Sequence, residues 1–115
     1  MRLCARYLLL LRPTPEFIVW LAEKTPVLGC PTIEEVGEDS QSFLLPVFDD
    51  RAHAEAWVLK KWRFFLEQQL LEWVPNKRRW PKKVDRVLFS NWFTPEIHEM
   101  VWDLTTEGSL EEQAD

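Results

Sequence analysis

Between Ala54 and Val74 the chain lays apolar residues along two stripes of a single helix, and this stretch constrains everything packed around it. Val58, Leu59, Trp62, Phe65, Leu66, Leu70 and Trp73 recur at spacings of three and four and make one face. Trp57, Phe64 and Leu71 stand seven apart. At about 100° per residue they form a second stripe, roughly 100–140° from Val58. Lys61 and Gln68 lie between the stripes, while Lys60, Arg63 and Glu67 hold the third side. Such a helix needs cover on two sides. Asp49 or Asp50 can cap its first turn, and Val74-Pro75 ends it, because a residue before proline is pushed out of the α region. One long helix over 50–74 is therefore expected.

The segment before it, Phe43-Leu44-Leu45-Pro46-Val47-Phe48, reads as a strand. Pro46 removes a ladder donor, which puts that strand at an edge or on a bulge. Further upstream, Ala5 to Leu11 is an apolar run without alternation, as in a strand buried on both faces. Thr14-Pro15-Glu16 then opens a helix: Thr14 can cap, Pro15 suits the first helical position, and Glu16 meets the positive dipole end. Phe17, Ile18, Trp20 and Leu21 form its apolar face, and Thr25-Pro26 closes it near Lys24. Residues 27–31 read as a loop, 32–36 as a strand or a single helical turn, and 37–40 as a turn.

Downstream, Pro75 to Lys83 is a loop with five positive charges and no negative one. Val84 to Ser90 is expected as a strand from its β-branched and aromatic content. Thr94-Pro95-Glu96 is expected to open a third helix, with Ile97, Met100, Val101 and Leu104 at i, i+3, i+4 and i+7. Arg6-x-Leu8 with Thr14-Pro15-Glu16 has an echo in Arg86-x-Leu88 with Thr94-Pro95-Glu96. Thr-Pro-Glu is a generic helix start, so shared capping chemistry explains the echo better than duplication does.

The block order β-α-(β)-β-α-β-α implies an α+β domain: a sheet of three to four strands with helices packed on one face. A chain of 115 residues is the size of one domain, expected over 1–108 with an acidic, disordered tail over 109–115. The split β-α-β-β-α-β arrangement of ferredoxin-like domains, with an added C-terminal helix, is the first expectation, and a fold analogy of that kind carries no function.

Arg12, Glu16, Glu23 and Lys24, with Pro13 and Pro15, break the N-terminal apolar run, so it cannot serve as a signal-peptide core. No run approaches the ~18 apolar residues of a membrane span. A soluble, cytoplasmic protein is expected, with Cys4 and Cys30 as reduced thiols.

Catalytic signals are sparse. His98-Glu99 begins a zinc motif, but Trp102 stands where the second histidine belongs. His53 near Asp49 and Asp50, or Cys30 beside a histidine, would be a thin basis for an enzyme. There is no Gly-x-Ser-x-Gly elbow and no glycine-rich phosphate loop, and the chain has three glycines in all. No catalytic residue, metal ligand or cofactor is assigned.

Two surfaces stand out instead. Seven Trp and seven Phe exceed what a core of this size requires, since each ring can bury ~150–250 Å². The second stripe, Trp57, Phe64 and Leu71, is the candidate interaction surface for a protein partner or a homodimer. The alternative is phosphate or nucleic-acid binding through Lys77, Arg78, Arg79, Trp80, Lys82 and Lys83. Residues 60–83 hold eight Lys/Arg against Glu67 and Glu72, a balance of +6 in a chain of −5. That overall charge argues against general affinity for nucleic acid.

Overall fold

The structure, a computed structural model, describes residues 2–4, 6–24 and 41–105. Expectations for the loop at 27–31, the short element at 32–36, the turn at 37–40, Cys30 and the tail at 109–115 fall outside them.

Strand β2 (Leu8–Pro13) is the centre of a three-stranded antiparallel sheet, flanked by β3 (Ser42–Leu44) and β4 (Phe93–His98). Register pairs Leu9 with both Phe43 and Ile97, and Leu11 with Pro95. Side chains alternate across a strand, so these residues share one face. Leu9, Leu11, Phe93 and Ile97 are buried there. Leu8 and Leu10 on the opposite face are only half-buried, and Arg12 is exposed. The strand expected to be buried on both faces is thus buried fully on one. A short ribbon of β1 (Arg2–Cys4) with β5 (Val101–Asp103) continues the β2–β4 pair. The two ladders stop at Cys4↔Val101 and Leu8↔His98 and form separate sheets.

Four helices among the described residues supply the rest of the core: α1 (Pro15–Lys24), α2 (Arg51–Lys60), α3 (Trp62–Trp73) and α4 (Arg86–Trp92). Helix α1 begins as its sequence implies. Thr14 Oγ1 accepts from the Phe17 N–H at 3.4 Å, and Ile18 N–H bonds the Thr14 carbonyl. Asp50 caps α2, accepting from the His53 N–H at 2.9 Å. Phe17 and Leu21 from α1, Ala54 and Val58 from α2, Phe65, Leu66 and Leu70 from α3, and Phe89 and Trp92 from α4 join the sheet residues in one buried cluster. Each Val, Leu, Ile or Phe among them contributes roughly 1.5–3 kcal/mol on burial.

The α+β class holds, with helices on the buried sheet face. Three local expectations do not. The long helix is two segments broken at Lys61, whose N–H is shared between the carbonyls of Trp57 (3.0 Å) and Val58 (3.1 Å), a tightened turn. The expected strand at 84–90 is helix α4, capped by Asp85 accepting from the Leu88 N–H at 2.8 Å. The expected C-terminal helix over 95–104 is β4 and β5, because residues 93–98 pair along the whole of β2. No C-terminal helix forms at 95–104, and the three strands in the order β3-β2-β4 leave the ferredoxin-like arrangement unconfirmed.

The free edge of β4 is blunted. Thr14 N–H donates to the Trp92 carbonyl at 2.9 Å. Bonded and non-bonded pairs alternate in an antiparallel ladder. Arg12↔Thr94, Leu10↔Glu96 and Leu8↔His98 are therefore the bonded pairs, and Phe93, Pro95 and Ile97 turn their main chain to the outer edge. Pro95 has no N–H to offer, and the Ile97 carbonyl is taken by the Arg51 guanidinium.

Candidate interaction surface

The second stripe spans the break between α2 and α3, and its three members differ. Trp57 is turned inward: it is half-buried, 5.7 Å from the Phe48 ring and 6.0 Å from the Phe65 ring. Phe64 is 52% exposed and touches its neighbours by its edge, 5.3 Å from Phe65 and 6.4 Å from Phe43. Leu71 is 38% exposed. Trp57 thus belongs with the core, while Phe64 and Leu71 remain open.

Charge around the open pair is uneven. Lys60 ends α2, Lys61 sits at the break, and on α3 itself Glu67 and Gln68 follow Phe64 by three and four residues. The two nearby carboxylates already have partners: Glu67 pairs with Arg63 at 3.7 Å, and Glu72 accepts from Gln41 Nε2 at 3.5 Å. Among the described residues Lys60, Lys61, Arg78 and Lys82 form no ion pair.

The basic loop is a 3-10 turn, Lys77–Arg79, capped by Asn76 accepting from the Arg78 N–H at 3.1 Å. Its six singled-out residues separate into tied and free. Trp80 is half-buried against the core, and its Nε1–H donates to the Val74 carbonyl at 2.7 Å. Lys77 Nζ lies 5.8 Å from the centre of that ring. Arg79 donates to the Lys24 carbonyl at 3.1 Å, and Lys83 pairs with Asp85 at 3.6 Å. Arg78 and Lys82 point charge at solvent.

Asp49, Asp50 and His53 are all exposed, and Asp50 serves as the helix cap. His53 has Asp50 at 3.6 Å and His98 has Glu96 at 3.3 Å. Glu96 also accepts from Arg12 Nε at 2.5 Å, and that hydrogen bond holds its carboxyl below the usual value, helped by the charges of Arg12 and His98. Among the described residues no three His, Cys, Asp or Glu side chains are grouped to hold a metal, and no helix is long and apolar enough to cross a membrane.

Three features escaped the sequence reading. Arg6, between β1 and β2, donates to the carbonyls of Leu45 (2.8 Å) and Leu44 (3.1 Å). Arg51 ties α2 to β4 through the Ile97 carbonyl and Glu99 at 3.4 Å, beside an open groove of about 230 Å³ lined by Glu55, Leu59, Pro95 and Ile97. Gln69 is wholly buried, and among the described residues neither of its amide atoms has a hydrogen-bond partner. Only Gln69 carried a signal, as a polar residue among Phe65, Leu66, Leu70 and Trp73 on the core stripe.

The scaffold is therefore a small α+β domain that leaves Phe64 and Leu71 open on α3, with Glu67 and Gln68 between them, and leaves Leu3, Met100, Trp102 and Leu104 exposed at and beside the β1–β5 ribbon. Comparison with known protein families, with curated proteins and with solved structures returns no match for this chain.

Proposed function

We propose that this protein is a non-catalytic interaction module that docks a protein partner, or a second copy of itself, on the open part of the α3 stripe. The observation that carries this is Phe64: a large ring left half in water, with Leu71 one heptad on, beside a fully packed Phe65. An aromatic held rigidly at its edge and open on its face loses little side-chain freedom on binding, and such residues dominate interface energetics. Trp57, grouped with this surface on spacing alone, supports it from below.

Phe64→Glu is the test. Circular dichroism should report an unchanged fold, and light scattering across concentration should report loss of any self-association. Loss of the fold would make Phe64 core and remove the proposal. A wild-type monomer at every concentration would remove the homodimer and leave a heterologous partner.

A second reading, anion or nucleic-acid contact at Lys77–Lys83, draws on the unpaired Arg78 and Lys82. It is weakened by Trp80, whose N–H is already bonded and whose body packs on the core. Stacking on a base needs a free ring face.

A further inference from the structure

We infer that the groove between α2 and the outer edge of β4 docks an arginine side chain of a partner protein. The groove is open, about 230 Å³ in volume, and lined by Glu55, Leu59, Pro95 and Ile97. Three of these are apolar, and Glu55 is the one charged residue among them. Arg51, Glu55 and Leu59 stand four apart on α2, so they share one row of its surface. Arg51 is one turn from Glu55, yet its guanidinium is committed to the Ile97 carbonyl and to Glu99. Glu55 is exposed, and among the described residues it has neither an ion pair nor a side-chain hydrogen bond. None of these residues belongs to α3, so the groove stands apart from the surface proposed above.

The main chain adds an acceptor. Pro95 and Ile97 turn theirs to the outer edge of β4. Pro95 has no N–H, so its carbonyl faces out alone, while Ile97 offers an N–H beside a carbonyl that Arg51 already fills. An apolar wall with an unpaired carboxylate and a free carbonyl selects a cation that carries several donors and is weakly hydrated. A guanidinium has five N–H donors in a plane, enough for a carboxylate and a carbonyl together, on a stem that is itself apolar. An ammonium is a compact, strongly hydrated point charge and loses more on leaving water. A carboxylate or phosphate would meet Glu55 with like charge. An added β-strand would find a donor missing at Pro95 and an acceptor taken at Ile97.

The test is a nuclear magnetic resonance titration of the isotope-labelled protein with N-acetyl-arginine N-methylamide, followed at the amide signals of Glu55, Leu59 and Ile97. The lysine counterpart and the citrulline counterpart, a neutral isostere of arginine, are the controls. Arginine should shift the three signals saturably, lysine several-fold more weakly, and citrulline not at all. Glu55→Gln should weaken arginine binding about tenfold through loss of a charge-assisted hydrogen bond, with circular dichroism unchanged. Glu67→Gln, which removes a paired carboxylate on α3, should leave binding as it is, and so should Phe64→Glu. Citrulline binding as tightly as arginine, or full binding in Glu55→Gln, overturns the inference. Lysine binding as tightly as arginine overturns the guanidinium. An equal loss in Glu67→Gln reduces the effect to general attraction to an acidic chain and overturns it as well. So does the absence of a saturable shift at Ile97. Since Phe64→Glu alters the α3 surface alone, either reading can fail without the other.

Discussion

Phe64 and Phe65 are adjacent in sequence and meet edge-on at 5.3 Å, yet Phe65 is 2% exposed and Phe64 is 52% exposed. One helical step of about 100° separates core from surface. Phe65 also packs edge-on against Phe43 at 5.1 Å, which ties α3 to β3. Phe65→Ala should lower unfolding free energy by about 3–5 kcal/mol through lost burial and the cavity left behind. Phe64→Ser should cost about 1 kcal/mol, since half of that ring is already in water. Urea unfolding of the two variants decides the point, and equal losses would show Phe64 to be core.

Gln69→Met should raise stability by about 1–2 kcal/mol. The amide is fully buried and has no partner among the described residues, whereas the unfolded chain gives it water. Met has similar length and no polar atom to desolvate. The expected record is a higher urea midpoint with unchanged slope. A lower midpoint would mean that the amide is satisfied.

Glu96 makes stability pH-dependent. Its hydrogen bond from Arg12 lowers the carboxyl below the ordinary 4.5 in the folded chain. The unfolded chain takes up the proton first as pH falls, so acid favours unfolding. The contribution is complete above the unfolded value and is lost as pH drops through the folded one. Glu96→Gln should therefore unfold more readily than wild type at pH 7. The two should converge in acid below the folded value, as thermal melts across pH would record. A constant gap down to the lowest pH would contradict it.

Pro95→Thr combined with Arg51→Ala should promote concentration-dependent assembly. The first restores a donor at the outer edge of β4, and the second uncovers the Ile97 carbonyl. Light scattering should show oligomers beyond those of wild type, and Phe64→Glu should not suppress them. Suppression by Phe64→Glu would place that assembly on α3 instead.

The helical regions α1 and α2 were legible because capping residues and apolar period agree there, and α3 from its apolar period alone. Thr14-Pro15-Glu16 and Asp50 perform the capping that their residue types imply. The C-terminal third was not legible. Thr94-Pro95-Glu96 repeats the helix-start triplet, yet it lies in β4 opposite Arg12, Leu11 and Leu10. Nonlocal pairing with β2 outweighed a local capping signal, and Pro95 fits because its missing donor faces the edge. Ile97, Met100, Val101 and Leu104 mimic helical period, but only Ile97 is buried. Helix α4 is seven residues, too short for period to declare it, and its one clear sign was Asp85 ahead of Leu88. The break at Lys61 has no proline or glycine to announce it. The surface stripe was legible as a stripe, though spacing alone did not separate the packed Trp57 from the open Phe64 and Leu71.

Site-specific photo-cross-linking in cells tests the central claim most directly. A benzoylphenylalanine is placed at position 64 or 71, and at position 87 as a control on α4, where Val87 is apolar and more exposed than either. The account predicts discrete adducts from 64 and 71 and none from 87, with an adduct of twice the chain mass marking a homodimer. No adduct from 64, or the same pattern from 64 and 87, would contradict it.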